Sequence, residues 1–141
     1  MIMDRTQIEA VIPHRDPFVM IDAVQALEPG RTILASYYVS PDHDYFKGHF
    51  PGNPVMPGVL IVESIAQAGA VCMLSTPEFA GRTAYFAGID KVRFKRKVVP
   101  GDTLRLEVSI GRMRGRIGFG TGKAYVGDEL AVAAEIMFAI G

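Results

Sequence analysis

Two side chains stand out for chemistry. His49 sits in the loop "KGHFPGNPVMPG" (47–58), and Glu63 follows fourteen residues later; between Phe50 and Pro77 no other charged residue occurs. An ionised carboxylate buried without partners carries a desolvation penalty of several kcal/mol, so Glu63 must be paired, protonated or lining a cavity. A salt bridge to a sheet arginine, Arg93 or Arg96, is one outcome. Acid–base work is the other. A histidine titrates near neutrality, so His49 on a loop leading into a helix with one buried acid gives a base and an acid with separable roles. The helix entrance adds a third group. N–H groups around Gly58 lack intrahelical partners, lie at the positive end of the helix dipole, and have no side chain in front of them. They are suited to a carbonyl oxygen on which negative charge develops. Base, acid and oxyanion donor together are what proton abstraction beside a carbonyl requires. The residues carry the reading to that reaction class and no further.

These groups need elements to hold them. "TQIE" (6–9) has a capping-box pattern, Thr6 with Glu9, and predicts a short N-terminal helix ended by Pro13 and Pro17. Strands are expected over Phe18–Leu27 and Arg31–Val39, joined by an "EPG" turn. The segment 40–57, with four prolines and two glycines, is expected to be irregular. Pro57 and Gly58 suit a helix entrance, and "VLIVESIAQAGAVCML" (59–74) is apolar or small on every side, as in a helix buried all round. After Arg82 the chain reads as strands: "TAYFAGI", "KVRFKRKVV", "TLRLEVSIGRM", "RIGFGTGKAYV" and "ELAVAAEIMFAI", separated by "GID", "PGD", "RG" and "GD" turns. The expected architecture is α+β, an antiparallel sheet of about six strands wrapped around one long central helix.

With 141 residues, 49% of them apolar, the chain is expected to form a single domain over 1–141. Lys+Arg and Asp+Glu balance at 15 each, which removes any whole-molecule argument for nucleic acid. The balance is uneven, since "KVRFKRK" (91–97) holds five of the basic residues. Strand alternation there puts Lys91, Arg93, Lys95 and Lys97 on one face, attractive to an acidic partner or simply protective of a sheet edge. The lone Cys72, mid-run among apolar residues, reads as a buried inert thiol. No Cys/His metal motif or phosphate-binding glycine loop occurs. The N-terminus lacks the apolar region of a signal peptide, and Val59–Leu74 is short for a membrane span and carries Glu63 and Gln67. A cytoplasmic protein without a membrane segment is expected.

The stretch "GHFPGNPVMPGVLIVESIAQAGA" (48–70) strongly resembles the signature of the 3-hydroxyacyl-acyl carrier protein dehydratases of type II fatty acid synthesis, which adopt the hotdog fold. "IPHRDPFVMIDAV" (12–24), "YFAGIDKVRFKRKVVPGD" (85–102) and "AEIMFAI" (134–140) extend the resemblance over nearly the whole chain from Ile8. It implies dehydration of a (3R)-3-hydroxyacyl thioester to the trans-2-enoyl thioester without metal or organic cofactor. His49 would take the α-proton, Glu63 would protonate the departing hydroxyl directly or through water, and the Gly58 N–H would hold the thioester carbonyl. It further implies a homodimer with His49 and Glu63 supplied by different subunits, a trimer of dimers, and acyl carrier protein as the acidic partner, for which Arg93, Lys95 and Lys97 are the candidate contacts.

Some residues depart from the family pattern. Asp42, His43 and Asp44 stand where an Asn-Glu-Pro run is usual, and Asp16 replaces a residue more often aromatic or apolar. Both bear on loop conformation and chain-length preference. His14 and Arg15 match a family motif and are expected to serve structure behind the channel. Phe46, Phe50, Met56 and Phe86 are candidates for an acyl tunnel, with core packing the default for each. Rival readings are a hotdog thioesterase, which does not usually carry the "GHFPG" histidine, and a non-catalytic acyl-thioester-binding hotdog protein. Isomerising relatives carry aspartate at the position of Glu63, so glutamate argues for dehydration alone.

Overall fold

A computed structural model describes residues 1–141. The first helix, α1 (Arg5–Glu9), is capped by Asp4 rather than Thr6: Asp4 Oδ1 accepts from Gln7 N–H at 2.9 Å while Gln7 Oε1 accepts from Asp4 N–H at 2.8 Å. The capping box therefore lies two residues earlier than "TQIE" suggested. The bridge between Met3 and Val24 anchors the chain just before Asp4, and aspartate caps at least as well as threonine.

Six strands follow: β1 (Ala23–Glu28), β2 (Thr32–Tyr38), β3 (Ala84–Phe94), β4 (Thr103–Arg114), β5 (Ile117–Val126) and β6 (Glu129–Ile140). They form one antiparallel sheet in the order β1-β2-β4-β5-β6-β3. Between β2 and β3 lie a short 3-10 turn (Asp44–Lys47), inside the segment expected to be irregular, and the long helix α2 (Gly58–Leu74). Pro57 stands just before the helix as its N-cap. The sheet curves around α2, which touches β2, β3, β4, β5 and β6. This is the expected α+β hotdog arrangement. No helix is long and apolar enough to cross a membrane.

Twelve of the seventeen residues of α2 are buried, on all sides of the helix, which is why its apolar pattern shows no single face. Close approach to the sheet rests on missing side chains. A Cβ at Gly122 of β5 would lie 2.2 Å from Cγ2 of Ile65, so only glycine admits the helix there. Cys72 is fully buried, with burial pushing its thiol up.

Three local expectations are corrected. Residues 18–22 do not join β1, because side chains of α2 take their backbone groups: Gln67 Oε1 accepts from Met20 N–H at 2.7 Å, and Ser64 Oγ donates to the Met20 carbonyl. "GID" is no turn. β3 runs through it against continuous β6, absorbing the irregularity as bulges between Phe86 and Gly88 and between Asp90 and Arg93. Lys91 adopts φ 49° in the second bulge, and its N–H is taken by Asp90 Oδ1 at 3.1 Å. The strand expected over "KVRFKRKVV" stops at Phe94; just past it Lys95 N–H still donates to the Ala131 carbonyl at 2.7 Å, and further on the Val98 carbonyl accepts from Met56 N–H at 2.8 Å, tying this segment to the His49 loop.

Candidate active site

The loop holding His49 is closed by its own backbone. Phe50 N–H donates to the Asn53 carbonyl at 3.0 Å and Asn53 N–H returns to Phe50 at 2.9 Å; Gly52, at φ 70°, makes the turn. The His49–Phe50 peptide is cis. Val55 N–H donates to the His49 carbonyl at 2.9 Å, and the imidazole Nδ1 lies 2.7 Å from the Val55 carbonyl oxygen. A carbonyl only accepts, so Nδ1 carries the hydrogen. In the neutral ring Nε2 is then left with its lone pair, the form a general base needs. Phe50 stacks on the imidazole at 4.0 Å between centroids.

His49 opens on a cavity of about 520 Å³ that is also lined by Met56, Gly58, Phe94, Lys95 and Lys97. At the start of α2, the N–H groups of Leu60 and Ile61 both use the Pro57 carbonyl, while those of Gly58 and Val59 have no acceptor in the chain. Base and free helix-terminal donors thus face one space. The Phe94 ring lies against Gly58; a Cβ there would be 2.5 Å from Phe94 Cε1.

Glu63 faces a different cavity. It measures about 230 Å³ and lies between α2 and the sheet, lined mainly by apolar residues. Ala66, Gly69 and Ala70 of α2 and Gly120 of β5 all line it, and their small side chains leave the space open. None of its lining residues belongs to the His49 cavity. Neither Arg93 nor Arg96 reaches Glu63; Arg96 approaches Glu129 at 4.0 Å. Instead Gln67 Nε2 donates to Glu63 Oε2 at 2.8 Å, and His14 Nε2 lies 3.6 Å from the same oxygen. Within one chain, then, His49 and Gly58 share a cavity and Glu63 stands apart.

Two residues at the Glu63 cavity received little or no weight from the sequence. Gln67 is fully buried with its amide saturated, accepting from Met20 and donating to the Phe18 carbonyl and Glu63. Its signal was its place one helical turn after Glu63. His14 lines the cavity beside the carboxylate rather than standing behind it. Arg15 is the structural member of that pair: its guanidinium donates to the Ile12 and His14 carbonyls at 2.9 and 2.6 Å.

The remaining candidates separate cleanly. Arg93, Lys95 and Lys97 are exposed and have no acidic partner in the chain, whereas Lys91 reaches Glu135 at 3.5 Å. Phe86 lines the Glu63 cavity and Met56 the His49 cavity, while Phe46 packs in the core and Phe50 covers the imidazole. His43 joins an aromatic cluster, its Nε2 2.8 Å from Tyr37 Oη and its ring stacked on Tyr45 at 5.0 Å. Asp42 and Asp44 are exposed, the latter 3.3 Å from Lys47, and Asp16 is exposed ahead of a cis Pro17.

A family model described as a FabA-like domain matches residues 12–135. Proteins named 3-hydroxyacyl-[acyl-carrier-protein] dehydratase FabZ are similar over nearly the whole length. That of Pelotomaculum thermopropionicum is 55% identical over 139 residues, covering 99% of each chain. That of Enterococcus faecalis is 52% identical over 136 residues, 96% of each. Among solved structures, a chain of the dehydratase heterocomplex ApeI:P from Xenorhabdus doucetiae superimposes with a TM-score of 0.81 at 17% identity, covering 95% of this chain and 90% of that one. At that identity the likeness speaks for the fold alone.

Proposed function

Since this chain belongs to the FabA-like family, among the 3-hydroxyacyl-[acyl-carrier-protein] dehydratases named FabZ, we propose that it removes water from 3-hydroxyacyl groups carried on acyl carrier protein, giving trans-2-enoyl thioesters in fatty acid elongation. His49, Glu63 and Gly58 are the working groups of this proposal. The Gly58 N–H holds the thioester carbonyl and acidifies the α-carbon. His49 Nε2 takes the α-proton; the electron pair of that C–H bond becomes the new C=C bond as the C–O bond at the β-carbon breaks. Glu63, directly or through one water, gives its proton to the leaving oxygen, and water departs. His49 is left protonated and Glu63 ionised, so a net proton must pass back before the next turnover.

The observation that carries the reading is the Nδ1 contact of His49 with the Val55 carbonyl, at 2.7 Å. It holds the tautomer whose free nitrogen is a base, and it does so in the cavity where the Gly58 donor is free.

The separation of Glu63 into its own cavity supports a site shared between subunits. β3 is a free sheet edge, with Tyr85, Phe86, Ile89 and Phe94 all more than two-fifths exposed. Such an edge invites a second copy, and Tyr85 and Phe86 already border the Glu63 cavity. Two-fold pairing there would give two equal sites, each with His49 and Gly58 from one subunit and Glu63 from the other. The carrier would approach over Arg93, Lys95 and Lys97, of which Lys95 and Lys97 line the His49 cavity itself. The 141 residues act as one domain in the cytoplasm, and the dimers assemble in threes, a state a light-scattering mass reads directly.

The test is the enoyl-thioester absorbance with a 3-hydroxyacyl-carrier substrate. Each catalytic group is worth about 10²–10⁴-fold, so His49→Ala and Glu63→Gln should both fall by that much with fold intact. Mixing the two inactive chains should return activity in heterodimers; none, with exchange verified, removes the shared site. A wild type that releases free thiol rather than enoyl product would be a thioesterase.

A further inference from the structure

The proposed mechanism leaves Glu63 ionised in a mostly apolar cavity once its proton has gone to the leaving oxygen. Something must accept that charge. Gln67 supplies one N–H to Oε2 at 2.8 Å. His14 lies on the other approach to the same oxygen, with Nε2 3.6 Å away, just beyond hydrogen-bond length. Its other nitrogen, Nδ1, is buried with no partner. Unpaired buried polar atoms are rare and need a reason. A ring that only filled space here would be better apolar.

The loop carrying His14 is fastened on both sides. Arg15 braces the Ile12 and His14 carbonyls, Phe18 N–H donates to the Arg15 carbonyl at 2.8 Å, and Gln67 and Ser64 of α2 grip Phe18 and Met20. The imidazole is therefore tied to the helix that bears Glu63. We propose that His14 is the positioning residue of Glu63: its Nε2–H closes on Oε2 as the carboxylate forms and becomes the second donor to the anion. No proton moves to or from His14 in this step. Gln67 and His14 hold Oε2, so Oε1 is the oxygen left to carry and deliver the proton.

This inference rests on the reading of Glu63 as the acid. Tyr85 is the one other titratable group lining the cavity, and on the loop Arg15 and Asp16 face solvent.

The experiment compares His14→Leu, of similar size with no donor, and His14→Asn, which keeps one. It reads kcat, KM and the infrared carboxyl band of Glu63, identified as the band missing in Glu63→Gln. Losing a hydrogen bond to a charged group corresponds to about a ten- to hundred-fold loss, so His14→Leu should lower kcat by that much with KM little changed. His14→Asn should recover the larger part. The Glu63 band should titrate at higher pH in His14→Leu, because the lost donor favoured the ionised form. If His14→Leu melts early, His14→Phe keeps a ring without nitrogen and is read the same way. An unmoved midpoint, whatever happens to kcat, overturns the proposal. A Glu63→Gln enzyme at wild-type rate removes the acid reading and this inference with it; an inactive Glu63→Gln beside an unmoved midpoint removes the inference alone.

Discussion

Gln67 donates to Glu63 Oε2 in one orientation only. The Met20 N–H occupies the amide oxygen of Gln67 at 2.7 Å, so the amide nitrogen must face both the Phe18 carbonyl and the Glu63 carboxyl, each at 2.8 Å. One fully buried side chain thereby joins the loop to the helix and fixes the rotamer of the candidate acid.

Replacing Gln67 with leucine separates these roles from simple bulk. It leaves the Met20 N–H and the Phe18 carbonyl without their partners, at about 1–3 kcal/mol for each buried group. The expected result is an unfolding free energy lowered by about 2–6 kcal/mol for the two groups together, with turnover reduced more than substrate binding because Glu63 is no longer held. Full stability in Gln67→Leu would mean that water or a shifted loop satisfies both groups.

Much of this arrangement was legible in the sequence, and the remainder failed for identifiable reasons. The run 59–74 announces a buried helix because it has no polar face, and the structure begins it one residue earlier at Gly58. Six strands follow from alternation and turns, but local pattern cannot carry pairing order, so nothing in "TAYFAGI" says that it lies beyond β6 at the sheet edge. The turn at "GID" was misread because a bulge uses the same residue types as a turn, and only the unbroken partner β6 decides between them. At the site, His49 and Gly58 flank one short loop, so their shared cavity was within reach. Gln67 sits four residues after Glu63, yet a lone glutamine in an apolar run gives no sign of its partners. His14 is remote in sequence from Glu63 and meets it only through the fold.

Gly122 tests how tightly α2 is seated. An alanine methyl there would sit 2.2 Å from Ile65 Cγ2, and Ile65 is fully buried, with no space to move into. Overpacking of this kind costs about 1–3 kcal/mol. Gly122→Ala should lower the melting temperature, and Gly122→Ala with Ile65→Val should recover part of the loss. An undiminished melting temperature in the single variant would show that helix and strand separate freely.

The aromatic cluster at His43 predicts an alkaline limit. Burial, reinforced by the charge of Asp22, pushes the Tyr37 phenol up to about 12, and burial then Tyr37 push Tyr45 in the same direction. The folded chain thus holds these protons more tightly than the unfolded chain, whose phenols titrate near the ordinary value of about 10. Their contribution to stability is complete below that value and is lost as pH rises from about 10 toward 12. Denaturation midpoints followed across that window should fall steeply, and less steeply in Tyr37→Phe. A flat profile in the wild type would mean that the phenols are open to solvent.

Gly120 offers a test of acyl length. Its missing side chain forms part of the wall of the Glu63 cavity, together with Ala66, Gly69 and Ala70. A Cβ there would lie 3.2 Å from the Ser109 carbonyl oxygen and 3.4 Å from Ile110 Cδ1, so the neighbours need give only slightly for the first carbon. The further methyls of a valine would enter the cavity. If the acyl tail runs past Glu63 into this space, Gly120→Val removes room equivalent to one or two methylenes. Such a change is worth about 1–3 kcal/mol, or roughly 10–200-fold in kcat/KM. The loss should fall on 3-hydroxydodecanoyl substrate and largely spare 3-hydroxybutyryl, whose tail ends before the wall. Equal losses on both would mean that Gly120→Val disturbs Glu63 itself, and no loss on either would place the tail along another path.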